Sequence, residues 1–228
     1  MKLSGKLSRR YGALEVEKFA PLCCPGLNGG GALAIGAATT NRTLYDLGLV
    51  TTGMHAVRFV NNSARGPGGA VRAGPFGNVA MNDCHFLDNS AMLAGGGLAL
   101  DAPNPSAFTN SSFANNVVFN GDGGALAFGS DPTGTAPPAA AASVMNNVTV
   151  HANVVDFYNG VGHGAGVLIN EGTIIYAHCH FASNKNLDAD GNGREDDVCA
   201  YGKGTVALFK PQEKPPTCGP CDGAGACP

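Results

Sequence analysis

Met81-Asn82-Asp83-Cys84-His85-Phe86-Leu87-Asp88-Asn89, with Gly96-Gly97-Leu98-Ala99-Leu100 close behind it, is the stretch on which the fold turns. Its Phe-x-x-Asn element recurs at Phe59-Val60-Asn61-Asn62, Phe113-Ala114-Asn115-Asn116 and Phe181-Ala182-Ser183-Asn184, with a degenerate copy at Val150-His151-Ala152-Asn153. Its glycine turn recurs at Gly68-Gly69-Ala70-Val71 and Gly123-Gly124-Ala125-Leu126, in stretched form at Gly166-Val167-Leu168-Ile169, and earlier at Gly30-Gly31-Ala32-Leu33. The first two steps between phenylalanines are 27 residues; the next two are 37 and 31. The longest step holds Asp131-Pro132-Thr133-Gly134 and an Ala run, which reads as a loop near 130–142 inserted into one repeat. In the last repeat Asp196-Asp197-Val198 stands where the glycines stood.

Aligned on the phenylalanine, the copies form columns. Two positions before it stand Val57, Cys84, Ser111, Val148 and Cys179, and five before it Met54, Met81, Phe108, Met145 and Tyr176. The columns one and three before are mostly polar: Arg58, His85, Ser112, Thr149, His180, and Ala56, Asp83, Asn110, Asn147, His178. Inward and outward positions alternating with period two describe a strand. Three short strands per period of about 27 residues wrap the chain into a coil, each strand lying about 4.8 Å from its copy, so that like residues ladder. The Asn is placed to bond backbone at a corner, and glycine supplies corner dihedrals that a Cβ would forbid. The expected fold is all-β: a right-handed parallel β-helix, a solenoid of about five to six coils. It occupies residues 28–210, with Phe59, Phe86, Phe113 and Phe181 as its aromatic ladder. A β-sandwich would show turns at similar spacing but would not need a 27-residue identity.

Composition agrees. The 228 residues include 34 Gly and no Trp, only 14% are charged, and the net charge is −3, which excludes a charged disordered chain and a helical bundle. No Lys or Arg occurs between Arg72 and Lys185, so this region has no cations with which to hold phosphates, and a nucleic-acid partner is not expected. No apolar run reaches the roughly 18 residues of a membrane span, so direct membrane insertion is not expected either. Residues 1–27 read as an irregular or capping segment, and no signal peptide is visible in them, because Glu15 and Glu17 interrupt any apolar core. Lys210-Pro211-Gln212-Glu213-Lys214-Pro215-Pro216 reads as a stiff linker. With the cysteines after it, residues 211–228 look like the start of a Cys-rich extracellular module.

The coupled Phe-x-x-Asn and Gly-Gly-Ala-(Leu/Val/Ile) motifs resemble the repeats of chlamydial polymorphic outer-membrane proteins, and similar repeats occur in large β-helix ectodomains of bacteria and algae. The resemblance covers roughly residues 28–210. It implies a surface-exposed, adhesin-like or structural β-helix, usually without catalysis.

Candidate chemistry is sparse. Four sequons, at Asn41, Asn61, Asn110 and Asn147, are candidate glycosylation sites. Cys218, Cys221 and Cys227 are disulfide candidates, and Cys23, Cys24 and Cys199 have partners only in the tail or in further sequence. Cys84 and Cys179 fall in one inward column three coils apart, too far to bridge, and are expected as free thiols. Leu187-Asp188-Ala189-Asp190-Gly191-Asn192-Gly193 resembles the opening of a calcium loop, giving Asp188, Asp190, Asn192 and Glu195 as candidate ligands. Cys199 stands where the closing bidentate Glu would be. An enlarged acidic corner explains the same residues.

Gly162-His163-Gly164 and Asp196-Asp197 match fragments of the polygalacturonase pattern in the wrong chain order. The acids from Asp83 to Glu171 do not gather into the carboxylate pair that glycoside hydrolysis needs. No catalytic set and no cofactor beyond the calcium candidate is expected. The expected role is a non-catalytic extracellular or cell-surface segment, part of a larger protein, acting in adhesion, display or spacing toward a protein or glycan at a cell surface. The alternative is a polysaccharide-active, pectinase-like enzyme whose site is incomplete in this chain.

Overall fold

The computed structural model describes residues 6–10, 13–17, 31–35, 51–74, 78–101, 105–129, 142–156, 162–187 and 193–208. They contain strands and no helix. The chain enters as an antiparallel hairpin, β1 (Lys6–Arg10) and β2 (Ala13–Glu17), in the segment read as irregular or capping; β3 (Leu33–Ile35) follows. A first turn comprises β4 (Thr51–His55), β5 (Val57–Val60), β6 (Ser63–Ala64) and β7 (Val71–Ala73). The next comprises β8 (Asn78–Asn82), β9 (His85–Leu87), β10 (Ser90–Ala91) and β11 (Leu98–Leu100), and the one after it β12 (Ala107–Thr109), β13 (Ser112–Ala114), β14 (Val117–Val118) and β15 (Leu126–Phe128). Then come β16 (Ser143–Asn146), β17 (Thr149–His151), β18 (Val154–Asp156) and the long β19 (Val167–Ala177). The last described strands are β20 (His180–Ala182), β21 (Lys185–Leu187), β22 (Gly193–Glu195) and β23 (Val198–Leu208).

Each turn therefore has four strands rather than three, and four faces. Strands β4, β8, β12, β16 and the later halves of β19 and β23 make the first face, and β2, β5, β9, β13, β17 and β20 the second. The third holds β6, β10, β14, β18 and β21; the fourth holds β3, β7, β11, β15 and the earlier halves of β19 and β23. Because β19 and β23 run around a corner, the first and fourth faces belong to one ten-stranded sheet. From turn to turn the pairing is parallel; only β1 on β2 and β22 on β21 are antiparallel. The solenoid has about four turns, counted from Phe59 to Phe181, and not the five to six that the sequence suggested. That expectation counted the partial rungs at both ends as whole coils.

The columns are where the repeat puts them. Phe59 pairs with Phe86, Phe86 with Phe113, Phe113 with Val150 and Val150 with Phe181, so the 37-residue step is absorbed without a slip. Rings 59 and 86 stack at 4.8 Å, and rings 86 and 113 at 4.6 Å. The ladder is interrupted at Val150, and Phe181 instead packs edge-on against Tyr176 at 5.3 Å. The simple alternation ahead of the phenylalanine needs correction. Ala56, Asp83, Asn110, Asn147 and His178 all have φ between 50° and 58°, as left-handed corner residues. Asn146 and Asn147 are thus both exposed in succession, which a continuous strand does not allow. A second left-handed corner runs through Asn61, Asp88, Asn115, Ala152 and Ser183. The glycine turn supplies the third, at Gly68, Gly95, Gly123 and Gly164. The glycine after each of the first three is needed for a different reason: a Cβ on Gly96 would strike the Gly124 carbonyl oxygen of the next turn.

The Asn of Phe-x-x-Asn does more than close a corner. Asn62, Asn89, Asn116, Asn153 and Asn184 are all buried. Asn89 Oδ1 accepts the Asn62 backbone N–H and Nδ2, at 3.0 and 2.9 Å. Asn89 Nδ2 in turn donates to Asn116 Oδ1 at 2.9 Å and to the Phe59 carbonyl at 3.0 Å. The pattern continues through Asn153 to Asn184, whose Nδ2 donates to Asp197 Oδ1 at 2.8 Å. Every amide along this line points the same way, and the last donor meets a carboxylate, so each bond polarises the next.

Candidate functional site

Three places gather polar side chains. On the second face, His85 Nδ1 lies 2.8 Å from Ser112 Oγ on the next rung, and His85 Nε2 lies 3.4 Å from Asp83 Oδ1. The corner puts Asp83 outward, and pairing of β9 with β13 sets His85 opposite Ser112. The residue types are those of an acyl-transfer triad, but the side chains of His85 and Asp83 are 40% and 54% exposed. Preorganised charge works in a dry enclosure, and here water reaches the groups from outside. His180, opposite Thr149, and His178 continue this polar surface, both exposed.

The second place is the corner leading into the fourth face, where Asp122, His163 and Asp196 come together. Asp122 Oδ1 accepts the His163 backbone N–H at 2.8 Å, and Asp196 Oδ2 accepts that of Gly164 at 2.7 Å. Burial pushes the Asp122 carboxyl above its usual range; the His163 N–H and the His163 ring pull it back, and Asp196 adds a further push upward. Gly162-His163-Gly164 thus forms a turn, with Gly164 at φ 60°. The two carboxylates cap the backbone of neighbouring turns. Asp196 is 2% exposed, so a polymer in solution has no access to it. Spacing in the sequence did not join Asp122 to His163. Alignment on the glycine turn does, because Ala94, Asp122 and His163 precede Gly95, Gly123 and Gly164.

The third is Arg72, whose Nε donates to both Asp101 oxygens at 3.0 and 2.8 Å. Asp101 is buried and Arg72 largely so. On the fourth face Arg72 occupies the column otherwise held by Ala34, Ala99, Ala127, Leu168 and Cys199. Ala127, Leu168 and Cys199 form a small apolar cluster with Ala94, apart from the main core.

The remaining sequence candidates are placed as follows. Asn61, Asn110 and Asn147 are exposed. Asn147 Nδ2 donates to Asn110 Oδ1 at 2.8 Å, and Asn110 Nδ2 to Asn82 Oδ1 at 3.3 Å, so these two sequons sit on adjacent rungs. Asn41, Cys23, Cys24, Cys218, Cys221, Cys227, Asp188, Asp190 and Asn192 lie outside the described residues, as do most of the 130–142 loop and all of 211–228. Glu195, the remaining calcium candidate, is exposed on β22. Among the described residues no three His, Cys, Asp or Glu side chains are grouped to hold a metal. Cys84 and Cys179 are free thiols, Cys84 fully buried and Cys179 half-buried. Burial pushes the Cys84 thiol up. Cys199 is disulfide-bonded and fully buried. No family description, curated protein or solved structure matches the chain.

Proposed function

We propose that the chain is a non-catalytic extracellular or cell-surface β-helix segment that works as a stiff spacer or display element, with adhesion at its contact surfaces. The observation that carries this reading is the unbroken internal ladder. Five buried asparagines and a carboxylate tie successive turns together, and a fully satisfied buried network of this kind holds its neighbours in one arrangement. A buried disulfide at Cys199 fits an oxidising compartment. The likeness of the repeats to those of chlamydial polymorphic outer-membrane proteins points the same way.

Intact-mass and peptide mapping of the protein from its native source tests the reading. Free thiols at Cys84 and Cys179 alone, with the other six of the eight cysteines paired and glycan on Asn61, are the expected result. Eight reduced cysteines and empty sequons would overturn it. The alternative, a polysaccharide-active enzyme, rests on the approach of Asp122, His163 and Asp196. It requires release of reducing sugar or unsaturated product from polygalacturonate, and the spacer reading expects none.

A further inference from the structure

Seven asparagines among the described residues are exposed: Asn61, Asn82, Asn110, Asn115, Asn120, Asn146 and Asn147. An asparagine in water has a slow covalent reaction of its own. The backbone nitrogen of the next residue attacks the side-chain Cγ, and Nδ2 leaves as ammonia, taking the amide proton with it. Water then opens the cyclic imide at either carbonyl, giving aspartate or isoaspartate. The attack needs a free amide after the asparagine, little bulk on that residue, and room for nitrogen and Cγ to meet. The stacked turns withhold that amide from four of the seven. The N–H after Asn61 is donated to Asn89 Oδ1 at 3.0 Å, and the one after Asn115 to Asn153 Oδ1 at 2.9 Å. The N–H after Asn82 goes to the Thr109 carbonyl at 3.1 Å, and the one after Asn146 to the Ala177 carbonyl at 2.9 Å. Asn110 and Asn147 are bonded to each other through their side chains, and the residues after them, Ser111 and Val148, are buried.

Asn120 has none of these restraints. It is exposed on the corner between β14 and β15, and among the described residues neither its side chain nor the Gly121 N–H has a hydrogen-bond partner. The corner is pinned on both sides instead: the Phe119 N–H donates to the Ala91 carbonyl at 3.0 Å and the Asp122 N–H to the Leu93 carbonyl at 3.3 Å. A Cβ on Gly121 would overlap the Leu93 carbonyl oxygen, so the fold demands the least hindered residue type directly after Asn120. The other Asn-Gly pairs, at 28–29, 159–160 and 192–193, have their asparagine outside the described residues. We propose that Asn120 is a modification site at which the folded solenoid ages, by deamidation through the Gly121 nitrogen to aspartate and isoaspartate. Isoaspartate lengthens the main chain between the two pinned amides by one methylene. Either product sets a new carboxylate two residues before Asp122.

Peptide mapping of the whole chain, aged at mildly alkaline pH both folded and unfolded in guanidinium chloride, is the test. Each site is followed by its mass gain, and isoaspartate is counted by methylation with a protein isoaspartyl methyltransferase. Asn120 should convert in the folded protein within about threefold of its unfolded rate, whereas folding should slow Asn61, Asn82, Asn115 and Asn146 by about tenfold or more. Asn120→Gln keeps an amide but closes its ring far more slowly, and it should lose both signals from that peptide. Slowing of Asn120 on folding as strong as that of the other four would overturn the proposal. So would isoaspartate in the same peptide of Asn120→Gln, since the reaction would then lie elsewhere.

Discussion

Tyr176 puts a hydroxyl into a column otherwise filled by Met54, Met81, Phe108 and Met145. It is buried, and its oxygen has no hydrogen-bond partner. The same burial pushes its phenol pKa upward. Leaving a polar group dry and unpaired costs more than having no polar group at all. Tyr176→Phe should therefore stabilise the protein by about 1 kcal/mol, seen as a higher denaturation midpoint at unchanged slope. Asp122 is a second residue whose chemistry conflicts with its surroundings. Its folded carboxyl holds a proton more tightly than the unfolded chain does. The stability it contributes is therefore complete below the ordinary carboxyl value of 3.8 and is lost as pH rises through the raised folded value. Asp122→Asn keeps an oxygen for the His163 N–H and removes the titration. Urea midpoints measured from about pH 3 to about pH 7 should then fall less with rising pH in the variant than in the parent. An unchanged pH profile would mean that Asp122 titrates alike in both states.

The repeating elements were legible because their spacing is a property of the chain itself. Residues 27 apart must share an environment if a turn takes 27 residues, and the inward columns built on Phe59, Val57 and Met54 follow at once. Several features escaped because the period does not encode them. The left-handed corner at Ala56 uses a residue type with no marked liking for positive φ, so an outward column of mixed polarity looked like ordinary strand alternation. Phe-x-x-Asn marked a conserved position within the repeat but not whether its amide faced water or the core. The answer depends on the next rung, which completes the bonding. The Arg72–Asp101 pair and the Asp122–His163 corner depend on reach across rungs, which no single copy displays. The buried amide line is the element on which the fold depends most. Asn116→Ala would take the Oδ1 acceptor from Asn89 Nδ2 and from the Asn89 backbone N–H on one side, and on the other would leave Asn153 Oδ1 with only the backbone N–H of residue 116 as donor. A loss of about 3 kcal/mol or more is expected from chemical denaturation. Asp197→Asn, which keeps an acceptor for Asn184, should cost less than Asp197→Ala. If both cost the same, the line does not depend on its terminal acceptor.

At the scale of the molecule, the half-covered apolar residues packed against the core lie at its two ends: Ala32, Leu33 and Met54 at one, Cys179, Phe181 and Val206 at the other. The stack covers itself along its length and not at its ends, as a solenoid must. Thiol reagents should accordingly modify Cys179, near an end, well before Cys84, which lies inside and whose thiol burial holds neutral. Equal rates, followed by mass spectrometry, would mean that the turns open together. The candidate functions are less legible than the fold because the proposed spacer role calls for no reactive cluster in the sequence. What decides the account is whether residues one period apart touch. In a NOESY spectrum of protein with labelled phenylalanine rings, Phe86 should show ring–ring cross-peaks to both Phe59 and Phe113, whose centroids lie 4.8 and 4.6 Å away. Phe59 and Phe113 should show none to each other. Absence of the Phe86 peaks in folded protein, or a direct Phe59–Phe113 peak, would contradict the stacked turns and everything placed upon them.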